Sequence, residues 1–244
     1  MKHKPLLLIF LTVFIVACGA AGQAVQVTEA PGRTETLNWT STPDATPTRH
    51  PTRTKAPDAA ATVESEQFSE MMLTYFDDKF LQTVDGEYYP LEDYVDNLAH
   101  RGYFSWSTYD VNIRNFVLHT NVRMSTANEP SSSTGCGIVF RTIGDFKESV
   151  FIQQNGEIFY GAGDTNYHSG YYGKVSNPAE FEMVLMVNEK SYRVFVDGKQ
   201  ALTGETILDP SRGGIGFAVQ SGSDEDFGSQ CNFTNNDLWA LKKK

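Results

Sequence analysis

Apolar and polar residues alternate along most of the second half of this chain. Phe116, Leu118, Val122 and Met124 share one face of a run whose other face carries Val117, His119, Asn121 and Arg123. Phe181, Met183, Leu185 and Val187 repeat the pattern, as do Tyr192, Val194 and Val196. A period of two belongs to strands with one face in a core. Turn dipeptides punctuate these runs: Asp85-Gly86 between 80–84 and 87–89, Asn155-Gly156 between 149–153 and 157–160, and Asp197-Gly198 after 192–196. Such pairs favour the positive φ angles of tight two-residue hairpins. About nine to twelve strands in one domain predict an all-β antiparallel sandwich. One segment breaks the period. Phe68, Met71, Met72, Tyr75 and Phe76 recur at helical spacing, which predicts a short amphipathic helix over 64–78 covering the sandwich edge. The folded part then runs from 64 to 244, long enough for one substantial domain.

The first sixty residues have neither pattern. Lys2 and Lys4 precede an apolar run over 6–16 that only Thr12 interrupts. Eleven residues fall short of the roughly twenty a helix needs to span ~30 Å of hydrocarbon, but suit the h-region of an export signal. The run closes on Ile15-Val16-Ala17-Cys18, which resembles the lipobox of bacterial lipoproteins. That resemblance implies cleavage after residue 17, a diacylglyceryl thioether on Cys18, and a protein anchored on the extracytoplasmic side of a membrane. Two or three acyl chains anchor stably, at ~0.8 kcal/mol per buried CH₂. Gly19 follows, not the aspartate that often retains such proteins in an inner membrane. Residues 18–63 read as a disordered, lipid-anchored linker. From 19 onward they hold ten threonines and five prolines with few large apolar groups, too little to offset the entropy of ordering.

Charge narrows the partners. The chain carries −10, and removing Lys2 and Lys4 with the signal leaves 18 basic against 30 acidic residues, a net of −12. Nucleic acid and anionic membrane surface are poor partners for such a protein; membrane contact is expected at Cys18 alone. With Cys18 used by lipid, Cys136 and Cys231 remain as an even pair in an oxidising compartment. They form either a disulfide closing a loop of about 95 residues or two buried thiols.

Five segments carry a resemblance in fold: Asn115-Phe-Val-Leu118, Gly135-Cys-Gly-Ile-Val-Phe-Arg141, Arg193-Val-Phe-Val-Asp-Gly198, Gly213-Gly-Ile-Gly-Phe217 and Phe233-Thr-Asn-Asn-Asp-Leu-Trp239. In this order they resemble concanavalin A-like jelly rolls, most of all laminin-G-like and 3-keto-disaccharide-hydrolase-type modules, over 110–242. Asp197 stands where such domains usually have asparagine, and Thr234-Asn235 where an acidic residue is common. The resemblance implies a jelly-roll sandwich whose first and last strands lie close, which suits a Cys136–Cys231 bridge. It implies little about function.

A search for chemistry leaves no catalytic residue. Glycan hydrolases of this superfamily need two carboxyls on one strand, ~5–5.5 Å apart when retaining; Glu180 and Glu182 share a face but flank core residues, and are expected to face water. The five histidines show no ligand spacing, and no cofactor is expected beyond a possible structural calcium at Asp224 and Asp226, whose loop offers oxygen ligands. The segment 159–173 offers more. Tyr160, Tyr167, Tyr171 and Tyr172 lie with His168 and Asn166 on a glycine-punctuated loop, and amphipathic rings beside polar groups suit a sugar or a protein surface. Arg141, opposite in phase to Ile138 and Phe140, either donates to such a ligand or pairs with an acid. The reading is a lipid-anchored, surface-displayed binding module, with carbohydrate the leading ligand and protein second. A glycan-processing hydrolase or a structural envelope domain is the alternative.

Overall fold

Alternation becomes two antiparallel sheets packed face to face. The computed structural model describes residues 58–75, 80–81, 83–98, 102–127, 134–173, 175–209, 211–222 and 228–242. Cys18, the signal and linker up to 57, and Asp224 and Asp226 lie outside these. Numbered in chain order, the first sheet runs β1 (Gly86–Leu91), β13 (Ser229–Leu241), β4 (Phe116–Ser125), β9 (Ala179–Asn188), β10 (Ser191–Val196) and β11 (Lys199–Glu205), with β2 (Tyr94–Leu98) also paired to β13. The second runs β3 (Phe104–Ile113), β12 (Gly213–Gln220), β5 (Gly135–Ile143), β6 (Phe146–Gln153), β7 (Glu157–Ala162) and β8 (Thr165–Tyr171). The expected antiparallel jelly-roll sandwich is the fold of the chain, with thirteen strands among the described residues.

The inward faces are those the alternation predicts. Phe116, Leu118, Met183, Leu185, Tyr192 and Val194 of the first sheet meet Ile138, Phe140, Val150, Ile152 and Phe217 of the second in one buried cluster. Burying each such side chain contributes ~1.5–3 kcal/mol. Cys136 on β5 and Cys231 on β13 are joined in a disulfide, Cα to Cα 5.7 Å, so the bridge staples one sheet to the other through the core. It links the fifth and thirteenth strands rather than the first and last.

The turns divide. Asp197 and Gly198 both have positive φ, 47° and 73°, and close the two-residue β10–β11 hairpin. Asn155-Gly156 closes the β6–β7 hairpin differently. Only Gly156 has positive φ, 87°, and its N–H bonds the Gln153 carbonyl at 2.9 Å, the geometry of a three-residue loop with a glycine bulge. Asp85-Gly86 makes no hairpin. Among the described residues of 80–84 none is in a strand, and β1 pairs with β13 at the far end of the chain.

The helix α1 spans Asp58–Tyr75, beginning six residues before the expected start. Alanines at 59–61 carry no apolar period but are the strongest helix formers, so spacing alone missed them. Nor does α1 cap an edge. Phe68 and Met72 lie flat on the outer face of the first sheet, against Val117, Val184 and Met186. Val117 explains itself here, as an apolar residue on the polar side of β4.

Candidate functional site

The tyrosine segment is a hairpin, β7–β8, not a loop, and its pleat sorts the side chains. Tyr160 points inward and is fully buried. It stacks on Tyr192 at 4.6 Å, donates to Glu148 Oε1 at 2.6 Å and accepts from the Ile207 N–H at 2.7 Å. Burial and the Glu148 bond push its phenol far above the usual value. His168 is half-buried, its Nδ1 3.0 Å from the Tyr192 hydroxyl. Tyr172 bonds Asp197, which with partial burial lifts its pKa to about 12. Tyr167 and Tyr171 are left exposed.

Arg141 is also interior. Strand phase placed it outward, but β5 slips register between Phe140 and Ile143, and Arg141 sits at the slip with φ of 49°. Its side chain turns into the core. Nη1 reaches Glu148 Oε2 at 3.3 Å and Thr206 Oγ1 at 2.8 Å, and Nη2 donates to the Glu189 carbonyl. Of the two roles expected for Arg141, the structure assigns the acid partner. Neither Arg141 nor Tyr160 can touch a ligand at the surface. Together with Glu148 they knot β5, β6 and β7 to the segment after β11.

The concavity lies elsewhere, on the outer face of the second sheet. There Phe151 and Phe159 stack at 5.5 Å, Phe104 tilts onto Phe151 at 5.5 Å, and Trp106 lies alongside on β3. Above the three phenylalanines, with Trp106 outside the lining, runs a groove of about 380 Å³ rimmed by Ser149, Asp164, Asn166 and Gln220. The Lys147 ammonium stands 4.7 Å from the Phe104 centroid and 5.3 Å from that of Trp106. Burial pulls the Lys147 pKa below its usual value, and Asp164 and Asp145 offset this only in part. Of the polar residues singled out in the tyrosine segment, Asn166 alone reaches this groove. The signal missed in the sequence was phase: Phe151 and Phe159 occupy positions where β6 and β7 ought to be polar, opposite Val150, Ile152, Ile158 and Tyr160.

A second concavity, about 440 Å³, lies beside α1 on the opposite side of the sandwich. His119 sits there between Glu182, Nε2 to Oε1 3.1 Å, and Asp237, Nδ1 to Oδ2 3.2 Å. Tyr88 donates to the other oxygen of Asp237 at 2.6 Å. Glu182 therefore does not simply face water, because β4 brings His119 beside it. Glu180 does remain exposed, near Arg123 at 3.6 Å. Asp237 is aimed by a bulge in β13 where Asn235 takes φ of 52°, a conformation asparagine tolerates. Both carboxylates are engaged by one imidazole. Among the described residues no group of three or more His, Cys, Asp or Glu is placed to hold a metal ion. No described helix is long and apolar enough to cross a membrane.

No family model and no curated protein matches the sequence. Among solved structures the chain is similar in fold to the carbohydrate binding module CBM66 from Bacillus subtilis, with a TM-score of 0.48 and 11% identity over 65% of this chain and 94% of that one. A Bacillus licheniformis beta-glucanase gives 0.45 and 12% over 62% and 79%. An Aspergillus kawachii beta-fructofuranosidase complexed with glycerol gives 0.47 and 13% over 65% of this chain, but the match spans only 28% of the enzyme. The likeness is one of fold and reaches no individual side chain.

Proposed function

We propose that the sandwich is a non-catalytic carbohydrate-binding module, displayed outside the cytoplasm on a linker anchored by lipid at Cys18. The groove on the second sheet carries this reading: aromatic rings form its floor and hydroxyl, amide and charged groups its rim. Sugar rings have apolar C–H faces and polar edges, so a floor of this kind packs the face while the rim bonds the edge. The reading moves the contact surface from the tyrosine hairpin to Phe104, Lys147 and Asn166. Export is supported by the Cys136–Cys231 disulfide, a bond of oxidising compartments. A lipid anchor is supported by the residues ending in Cys18.

A glycan array probed with the purified chain, followed by calorimetry, tests the binding. Phe104→Ala is expected to weaken the bound sugar by about tenfold or more, ~1.4 kcal/mol. An unchanged affinity places the sugar elsewhere. Release of reducing ends from a bound polysaccharide overturns the non-catalytic reading. Mass spectrometry of the mature N-terminus tests the anchor, and an unmodified Cys18 thiol refutes it.

A further inference from the structure

Lys147 follows the β5–β6 turn on the groove face of β6, and its neighbour Glu148 points the opposite way into the core. The ammonium rests over Phe104 and Trp106. Their ring faces attract a cation but accept no conventional hydrogen bond from its N–H groups as a carboxylate would. Among the described residues no ion pair engages Lys147, whereas Lys190, Arg114, Arg123 and Arg141 each have one. Asp164 and Asp145 lie close enough to be felt, yet burial outweighs them. The groove thus holds a partly desolvated cation with donors to spare, beside a surface suited to a sugar face. An anion completes such a site.

We propose that the groove selects sugars bearing a single carboxylate, a uronate-type residue whose acidic group is received by Lys147 Nζ while its ring lies in the groove beside Phe104 and Asn166. This rests on the carbohydrate-binding reading and adds the ligand class. One carboxylate is favoured over a polyanion because Asp164 shares the groove and the chain as a whole carries −10.

The test uses the full chain against oligosaccharides in matched pairs of equal length, glucose with glucuronate and galactose with galacturonate. The acidic member of a bound pair is expected to bind about tenfold tighter at low salt, and the preference to shrink in 1 M NaCl. Lys147→Gln brings the acidic member to the level of its neutral partner, and Lys147→Arg retains the preference. Equal binding of neutral and acidic members overturns the inference and leaves the carbohydrate reading standing, as does a preference that survives Lys147→Gln. If no member of any pair and no glycan of the array binds, both fall.

Discussion

At the scale of single residues the chain buries charge where a sandwich normally has hydrocarbon. Arg141 and Glu148 are both fully buried, and each is bonded on several sides: Glu148 to Tyr160, the Leu208 N–H and Arg141, and Arg141 to Thr206 and the Glu189 carbonyl besides. A pair like this adds little net stability over a hydrophobic pair, but losing one member strands the other without water. Glu148→Ala is therefore expected to cost ~3–5 kcal/mol in urea unfolding. A loss below ~1 kcal/mol would mean that water reaches Arg141. The phenols carry a second residue-scale consequence. Tyr94, Tyr109, Tyr160 and Tyr192 are all raised above their ordinary value of 10.0, chiefly by burial, and Tyr172 is raised to about 12, chiefly by its bond to Asp197. The native state holds these protons more tightly than the unfolded chain does. The stability they contribute is complete below pH ~10 and falls as pH climbs past it. Absorbance at 295 nm should thus show buried phenols ionising together with loss of the folded circular-dichroism signal. Tyr172→Phe should remove the part of that loss lying between pH 10 and 12. Ionisation of Tyr160 and Tyr192 with the sheets intact would contradict their burial.

At the scale of elements α1 stands apart from the sheets. An isolated helix of 18 residues is marginal in water, so its order depends on docking through Phe68 and Met72. Removing the Phe68 ring forfeits ~3–5 kcal/mol of packing, more than one peripheral helix can spare. In Phe68→Ala, hydrogen exchange of the α1 amides should approach the rate of an unfolded peptide while β4, β9 and β13 stay protected. Joint loss of protection would show instead that helix and sheets unfold as one unit. The elements also display how much of the site could be read beforehand. Strand phases in β4, β9 and β10 were legible because each runs unbroken. β5 was misread past Phe140, because a register slip exchanges the two faces and leaves no mark in composition. Phe151 and Phe159 were visible as apolar residues out of phase. Only the strand order, with β6 and β7 side by side and β3 separated from β6 by β5 and β12, shows that they meet Phe104.

For the whole molecule the decisive contact is between sheets. The Cys136–Cys231 bond closes 95 residues, and the chain-entropy model gives a loop of that size ~4–5 kcal/mol. That is a large part of the stability of an ordinary domain. Reduction, or Cys136→Ser with Cys231→Ser, is expected to lower the urea midpoint by a matching amount. Equal midpoints for oxidised and reduced protein would show that the core alone holds the sheets together. Period-two alternation, turn dipeptides and an even cysteine pair determined by themselves that the chain makes a disulfide-competent antiparallel sandwich. These signals are local, and local sterics and burial enforce them whatever the neighbours are. Tertiary structure alone decided that Arg141 and Tyr160 are core, that His119 joins Glu182 to Asp237, and that Lys147 lies over an aromatic groove. Each depends on which distant strands become neighbours and where a strand slips, and no window along the chain contains that pairing.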